Sequence, residues 1–348
     1  DYYPYYGAMR NNNWKVDTRA PAETKEPVDG VWRPLPNSQR EGLLAQRVDL
    51  WRQGRLWHML DAEDDYLLSG FESRPGRHPW QGEHAGKWLH AATLAYEQTH
   101  NEELLRALQE TVERLLAAQE ANGYLGTYGE DYTFMALPEN TSKRAVVDDV
   151  APSKNRGKPQ QRPAKPKGGW DTWTFRYNIY GLLTYERFHP DPRVVEACRK
   201  MADLLIEVYG EGKADLTKYG TRQGISATTL LESIVMLYGR TQDQKYLDFA
   251  ERIVEVSEGN PKLRLMGNML EYGSVVYSGD GKAYQLMANL LGYLGLYKNT
   301  GDQRYLKTVQ NAWDDITADH LDVTGGPWGR FMSYNGNREC FALPQDYD

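Results

Sequence analysis

The chain has 348 residues, 40 % of them apolar and 26 % charged, with a net charge of −7, and no apolar run is long enough for a transmembrane helix. That length can bury a large core in one domain or two, the mixture is that of a globular chain, and the acidic balance gives no electrostatic reason for a nucleic-acid partner. Tyrosine and tryptophan, 24 and 10, stand against 7 phenylalanines; rings with a polar edge suit half-wet surfaces such as sugars present.

The chain opens on "DYYPYYG" without a methionine. That fits a processed start, so a secreted or periplasmic protein is expected. Residues 1–40 read as an extension in which "DGVWRPLPNSQREG" allows at most a short edge strand at Trp32–Leu35, because its prolines remove ladder donors. Residues 41–348 read as one helical domain. "LLAQRVDLWRQGRLWHML" supplies its first helix.

Four later segments share a plan of a helix ending near an aromatic residue, a polar turn and a second helix. They are "LAYEQTHNEELLRALQETVERLLAAQ", "LTYERFHPDPRVVEACRKMADLLIEV", "LYGRTQDQKYLDFAERIVEVSEG" and "LYKNTGDQRYLKTVQNAWDDITAD". Apolar residues at spacings of three and four, as in Leu104, Leu105, Leu108, Val112, Leu115 and Leu116, mark amphipathic helices. Turns such as Thr300-Gly301-Asp302 supply a left-handed glycine and a capping aspartate. Each segment is a helical hairpin, and the long, uneven spacing between them excludes a short-period solenoid. The spacing predicts an all-α fold of concentric helices, an (α/α)6 toroid with the inter-hairpin loops gathered at one end around a pocket. About nine helices are legible where a full ring needs twelve, so an incomplete ring is expected.

Candidate site residues lie in those loops. "QGEHAGKWLHAATLAY" opens a helix with Glu83, His84 and Lys87, although a lone histidine is more often structural than catalytic. "GYLGTYGEDY" is expected to project Tyr124 and Tyr128 into the pocket. The segment from Thr141 to Gly169 carries eight Lys or Arg, two Asp and four prolines; it reads as a solvated insertion or as a flap guiding an anionic ligand. "GGWDTWTFRYNIYGLL" places Trp170, Asp171, Trp173, Arg176, Tyr177 and Asn178 at the mouth of a helix, where core packing is an equal reading for the two tryptophans. "SGDGKAYQLMANLLG" adds Asp280 and Lys282. Cys198 falls on an apolar helix face and reads as a buried thiol, and two lone cysteines form neither a disulfide framework nor a zinc pattern. No P-loop, dinucleotide fingerprint, nucleophile elbow or His-Glu-x-x-His motif occurs.

In order along the chain, "PLPNSQREGLLAQRV", "GEHAGKWLHAATLAY", "QEANGYLGT", "LYKNTGDQRYL", "DVTGG" and "RECFALPQD" resemble the landmarks of the β-L-arabinofuranosidase-type glycoside hydrolases, families 127 and 146. The resemblance spans the chain from about Arg33 onward. It implies an (α/α)6 barrel followed by β-sandwich domains, and a retaining hydrolysis with a cysteine nucleophile held on zinc. In the family pattern a Gly-Glu-x-Phe stretch supplies the general acid/base and a later Glu-Thr-Cys-Ala stretch supplies metal ligands. "RECF" matches the first, so Glu339 resembles the acid/base; Cys340 falls on a variable position. The sequence stops before the metal-ligand stretch would begin, so zinc is implied by the family while its ligand motif is not in this chain, and neither are the β-sandwich domains.

Where the family carries histidines, this chain has Arg176-Tyr177-Asn178 and Lys282, which predicts a carboxylated or otherwise anionic sugar. The expectation is therefore a glycosidase acting on a plant or microbial oligosaccharide. Two alternatives stand beside it: a metal-independent (α/α)6 hydrolase of uronic-acid sugars that pairs Asp171 with Glu339, and a sugar-binding protein that has lost the chemistry. The oligomeric state is not legible in the sequence.

Overall fold

The computed structural model describes residues 42–62, 65–129, 133–134, 169–220, 222–279, 281–321 and 326, all within the unit that runs from Leu35 to Asp348. The expected edge strand, the basic segment up to residue 168, Asp280, Glu339 and Cys340 lie outside the described residues. Among those described the fold is all-α, and extended pairing is confined to single bridge positions at Lys282 and Leu321.

Helix α1 (Gly42–Leu50) passes through a π-helical turn at Trp51–Arg55 into α2 (Leu56–Leu60). The four hairpins follow: α3 (Glu83–Thr99) with α4 (Glu102–Ala118), and α5 (Asp171–Phe188) with α6 (Pro192–Tyr209). Next come α7 (Leu230–Thr241) with α8 (Gln244–Gly259), the single helix α9 (Leu265–Tyr272), and α10 (Ala283–Thr300) with α11 (Gln303–Asp319).

The first members pack in series, α3 on α5, α5 on α7 and α7 on α10, and each second member lies against its own partner outside. These are the inner and outer layers of an (α/α)6-type arrangement. The difference between layers is written in side chains. Along α5 only Tyr180, Arg187 and Phe188 escape burial, so this helix carries no solvent face. The outer helices α4, α6, α8 and α11 are apolar along one stripe alone, as in Leu104, Leu108, Val112 and Leu115 of α4. Each fully buried leucine of this kind contributes ~1.5–3 kcal/mol.

The hairpin turns use one device. The chain enters the left-handed region at His100 (φ 50°), Gln242 (φ 55°) and Gly301 (φ 73°). The next residue, Asn101, Asp243 or Asp302, accepts a backbone N–H of the outer helix through its side chain, as does Asp191 before α6. The starts of three inner helices come together, Glu83 of α3 bonding Trp173 of α5 and Tyr177 of α5 bonding Tyr284 of α10.

Candidate active site

Two glycines bring α3 and α5 into backbone contact. A Cβ at Gly86 would stand 1.9 Å from the Tyr177 carbonyl oxygen, and one at Gly181 would stand 2.3 Å from the Gly86 carbonyl oxygen. At this separation side chains from the first turns of the two helices interlock. Glu83 accepts a hydrogen bond from the Trp173 indole N–H through Oε2 and one of 2.8 Å from Lys87 Nζ through Oε1. The Lys87 ammonium lies 4.5 Å from the Tyr177 ring centroid, 5.4 Å from that of Tyr284 and 5.8 Å from that of Trp173. Tyr284, in the first turn of α10, hydrogen-bonds Tyr177 hydroxyl to hydroxyl, and burial pushes the Tyr177 phenol up, so it stays protonated. Side chains of three inner helices, α3, α5 and α10, thus meet in an aromatic cluster in which Lys87 is matched by Glu83.

Outside this centre lies an aromatic rim. Ring centroids step from Trp80 to Trp170 in 5.7 Å and from Trp170 to Trp173 in 6.0 Å, and Trp80 is 37 % exposed. His78 lies 4.8 Å from Trp80, centroid to centroid. The Tyr66 hydroxyl bonds His78 Nε2 at 2.5 Å and His84 Nδ1 at 3.3 Å. Burial, then the neighbouring His84, lowers the His78 imidazole to about 4. His84 therefore sits at the rim as a member of a hydrogen-bonded trio.

Beneath the mouth, Arg176 is 5 % exposed and ion-paired through Nη2 to Glu232 of α7, with its guanidinium carbon 4.3 Å from the Tyr177 ring centroid. Burial raises Glu232, with Arg176 opposing. His90 Nδ1 bonds Thr184 Oγ1 at 3.1 Å, and its ring lies 4.6 Å from Tyr180.

The remaining expected site residues lie in a wall beside the mouth. Asp171 is buried, accepting 2.8 Å from the Phe134 backbone N–H and 3.3 Å from the Tyr124 hydroxyl; burial raises its carboxyl to about 8. Asn178 Nδ2 donates to the Leu125 carbonyl at 3.1 Å. Together these bonds fasten the segment after α4 to α5. The expectation that Asp171 serves as a catalytic carboxylate is therefore corrected: it is sealed under Tyr124 and Phe134 and spends its oxygens on them. Tyr124 and Tyr128 do not project either; at 1 % and 2 % exposure they are core. Trp173 is buried as well, so packing and site-building coincide in it, while Trp170 is half-buried.

Lys282 is the buried N-cap residue of α10, two positions before Tyr284. Arg176, expected to favour an anionic sugar, faces the protein carboxylate of Glu232. Among the described residues no three His, Cys, Asp or Glu side chains gather as metal ligands. The described cysteine, Cys198, is fully buried in the core, and burial raises its thiol. The donors described here do not fit the zinc that the family implies.

Sequence reading missed Tyr284, Glu232, Tyr66, His78, Trp80 and His90. Glu232 had a signal: it is a lone carboxylate in the apolar run "TTLLESIVML". His78 and Trp80 stood in "RPGRHPWQGEH", directly before the motif that supplied Glu83.

The family described as beta-L-arabinofuranosidase, GH127 catalytic domain, matches residues 27–346. No curated protein sequence matches the chain. Among solved structures it is similar to a GH127 β-arabinofuranosidase, with a TM-score of 0.60, 16 % identity, and 86 % of this chain and 45 % of that one covered. It is similar to a GH127 β-L-arabinofuranosidase from Geobacillus stearothermophilus T6, with a TM-score of 0.59, 17 % identity, and coverage of 87 % and 48 %. A third protein, a glycoside hydrolase, aligns with a TM-score of 0.56 at 15 % identity over 84 % of this chain and 38 % of its own. At these identities the likeness carries the fold alone, and this chain spans less than half the length of each.

Proposed function

The chain belongs to the GH127 β-L-arabinofuranosidase catalytic-domain family of glycoside hydrolases, and from that premise we propose that its aromatic mouth receives a neutral furanoside. The observation that carries this reading is charge balance. Lys87 is matched by Glu83 and Arg176 by Glu232, so these two cations bring hydrogen-bond donors among the ring faces with their charges already balanced. A carboxylated sugar would lose hydration beside ion pairs that are already balanced, at an electrostatic cost that a neutral sugar avoids. Tryptophan and tyrosine faces suit the C–H side of a furanose, and the Tyr177 and Tyr284 hydroxyls suit its rim.

Glu339 is our general acid/base on its match to the family motif, within the span that the family covers. A carboxyl in that role must be partly desolvated so that it holds its proton near neutrality and delivers it to the departing glycosidic oxygen.

The test is hydrolysis of 4-nitrophenyl β-L-arabinofuranoside and 4-nitrophenyl β-D-glucuronide, alongside binding of the two methyl glycosides followed by tryptophan fluorescence. Preference for the arabinofuranoside, with turnover abolished and binding kept in Glu339→Gln, supports the reading. Preference for the glucuronide overturns the neutral-ligand assignment. Binding of both without turnover makes the protein a sugar binder.

A further inference from the structure

We propose that Arg176 is a ligand-binding and specificity-determining residue, its guanidinium held by Glu232 so that Nε–H and Nη1–H donate to ring or hydroxyl oxygens of a neutral sugar. This rests on the functional reading above and names the group through which that site selects its ligand.

The starting point is an imbalance. A guanidinium has five N–H donors, and a buried one is ordinarily satisfied. Arg176 is 5 % exposed, yet its Nε and Nη1 have no hydrogen-bond partner among the described residues. Its carboxylate partner takes a bond from Nη2 alone. The rings of Tyr177 and Trp173 lie 4.3 and 5.5 Å from the guanidinium carbon, and the Tyr177 hydroxyl also accepts from Arg176, yet Nε and Nη1 stay without a partner. Donors left buried in this way cost stability, and a ligand oxygen is the partner that would recover it.

Position selects the ligand. Tyr177, which lies over Arg176, also bonds Tyr284, a residue 40 % exposed, so one ring and one hydroxyl contact separate the guanidinium from solvent-facing side chains. Glu232 cancels the charge while leaving the N–H groups in place. The pair is therefore a source of directed donors with no net charge, which suits hydroxyl and ether oxygens and gives a carboxylate little. His90, neutral at physiological pH because burial and then Arg176 lower it to about 4, adds no positive charge nearby.

A purely structural ion pair makes different predictions. Arg176→Lys keeps a cation for Glu232 and removes the guanidinium fork; Arg176→Met with Glu232→Leu removes both charges together, a replacement that cores tolerate. The full chain and both variants are titrated with methyl β-L-arabinofuranoside by calorimetry, and their melting temperatures are compared. The expected result is that both variants melt within a few degrees of the parent and bind at least about tenfold more weakly, the worth of one or two lost charge-assisted bonds. If either folded variant binds as tightly as the parent, the pair is structural and the proposal falls while the functional reading stands. If the unmodified chain binds no neutral sugar, both fall.

Discussion

Gly86 and Gly181 touch backbone to backbone across α3 and α5, and this contact sets the distance at which Glu83 meets Trp173. Gly86→Ala or Gly181→Ala would place a methyl group against a carbonyl oxygen that cannot yield as a flexible side chain would. The expected cost is about 3 kcal/mol, the upper end for overpacking. Urea denaturation measures the loss, and a changed Trp173 emission reports the parting of the helices.

Glu83 holds two donors of different chemistry. Glu83→Gln keeps an acceptor for the Trp173 indole and removes the charge that faces Lys87, whereas Glu83→Ala removes both. We expect the alanine variant to be the less stable by about 1–3 kcal/mol, because it leaves the indole N–H buried without a partner. Equal stability of the two variants would assign the effect to Lys87 alone.

The Asp171 carboxyl gives stability a pH dependence of opposite sign to that of an ordinary paired carboxylate. Burial raises it to about 8, so between roughly pH 4 and pH 8 the folded state holds a proton that the unfolded state has released. Its contribution is present at low pH and is lost as pH rises through about 8. Asp171→Asn has no proton to lose, so it should gain on the parent in melting temperature from pH 5 to pH 8.5. A constant difference across that range would refute the assignment.

His90 and His78 act in the other direction, since burial lowers each to about 4. Between about pH 6.5 and pH 4 the unfolded chain takes up protons that the folded chain refuses, so stability falls as the solution is acidified. His90→Asn, which does not titrate, should flatten part of that loss, and His90→Asn with His78→Asn should flatten more of it. Melting temperatures at half-unit intervals of pH decide the matter.

The hairpins were legible because their instructions are local. In "LYKNTGDQRYL" the glycine takes the left-handed turn and the aspartate caps the next helix, as the spacing predicts. Glu83 and Trp173, which hydrogen-bond each other, stood out because helix starts at a loop end are read from neighbouring residues. Asp171 was misread because its sealing partners, Tyr124 and Phe134, come from a segment about 40 residues earlier, and no local pattern shows that a carboxyl there will be covered. Arg176 was misread for a related reason: charge counted along the chain does not show that Glu232, 56 positions on, neutralises it.

The four capped turns have a consequence for how the molecule assembles. Each hairpin closes between helices joined by a turn of a few residues, with a capping side chain that needs nothing from the rest of the fold. Such short-range closure lowers contact order and favours rapid formation of individual hairpins during synthesis. Docking α3 against α5 is different, because it must span the stretch between α4 and α5 before Gly86 and Gly181 can meet. The slow event in folding should therefore be the joining of the first two hairpins, and glycine-to-alanine changes at that seam should speed unfolding more than they slow the early gain of helix.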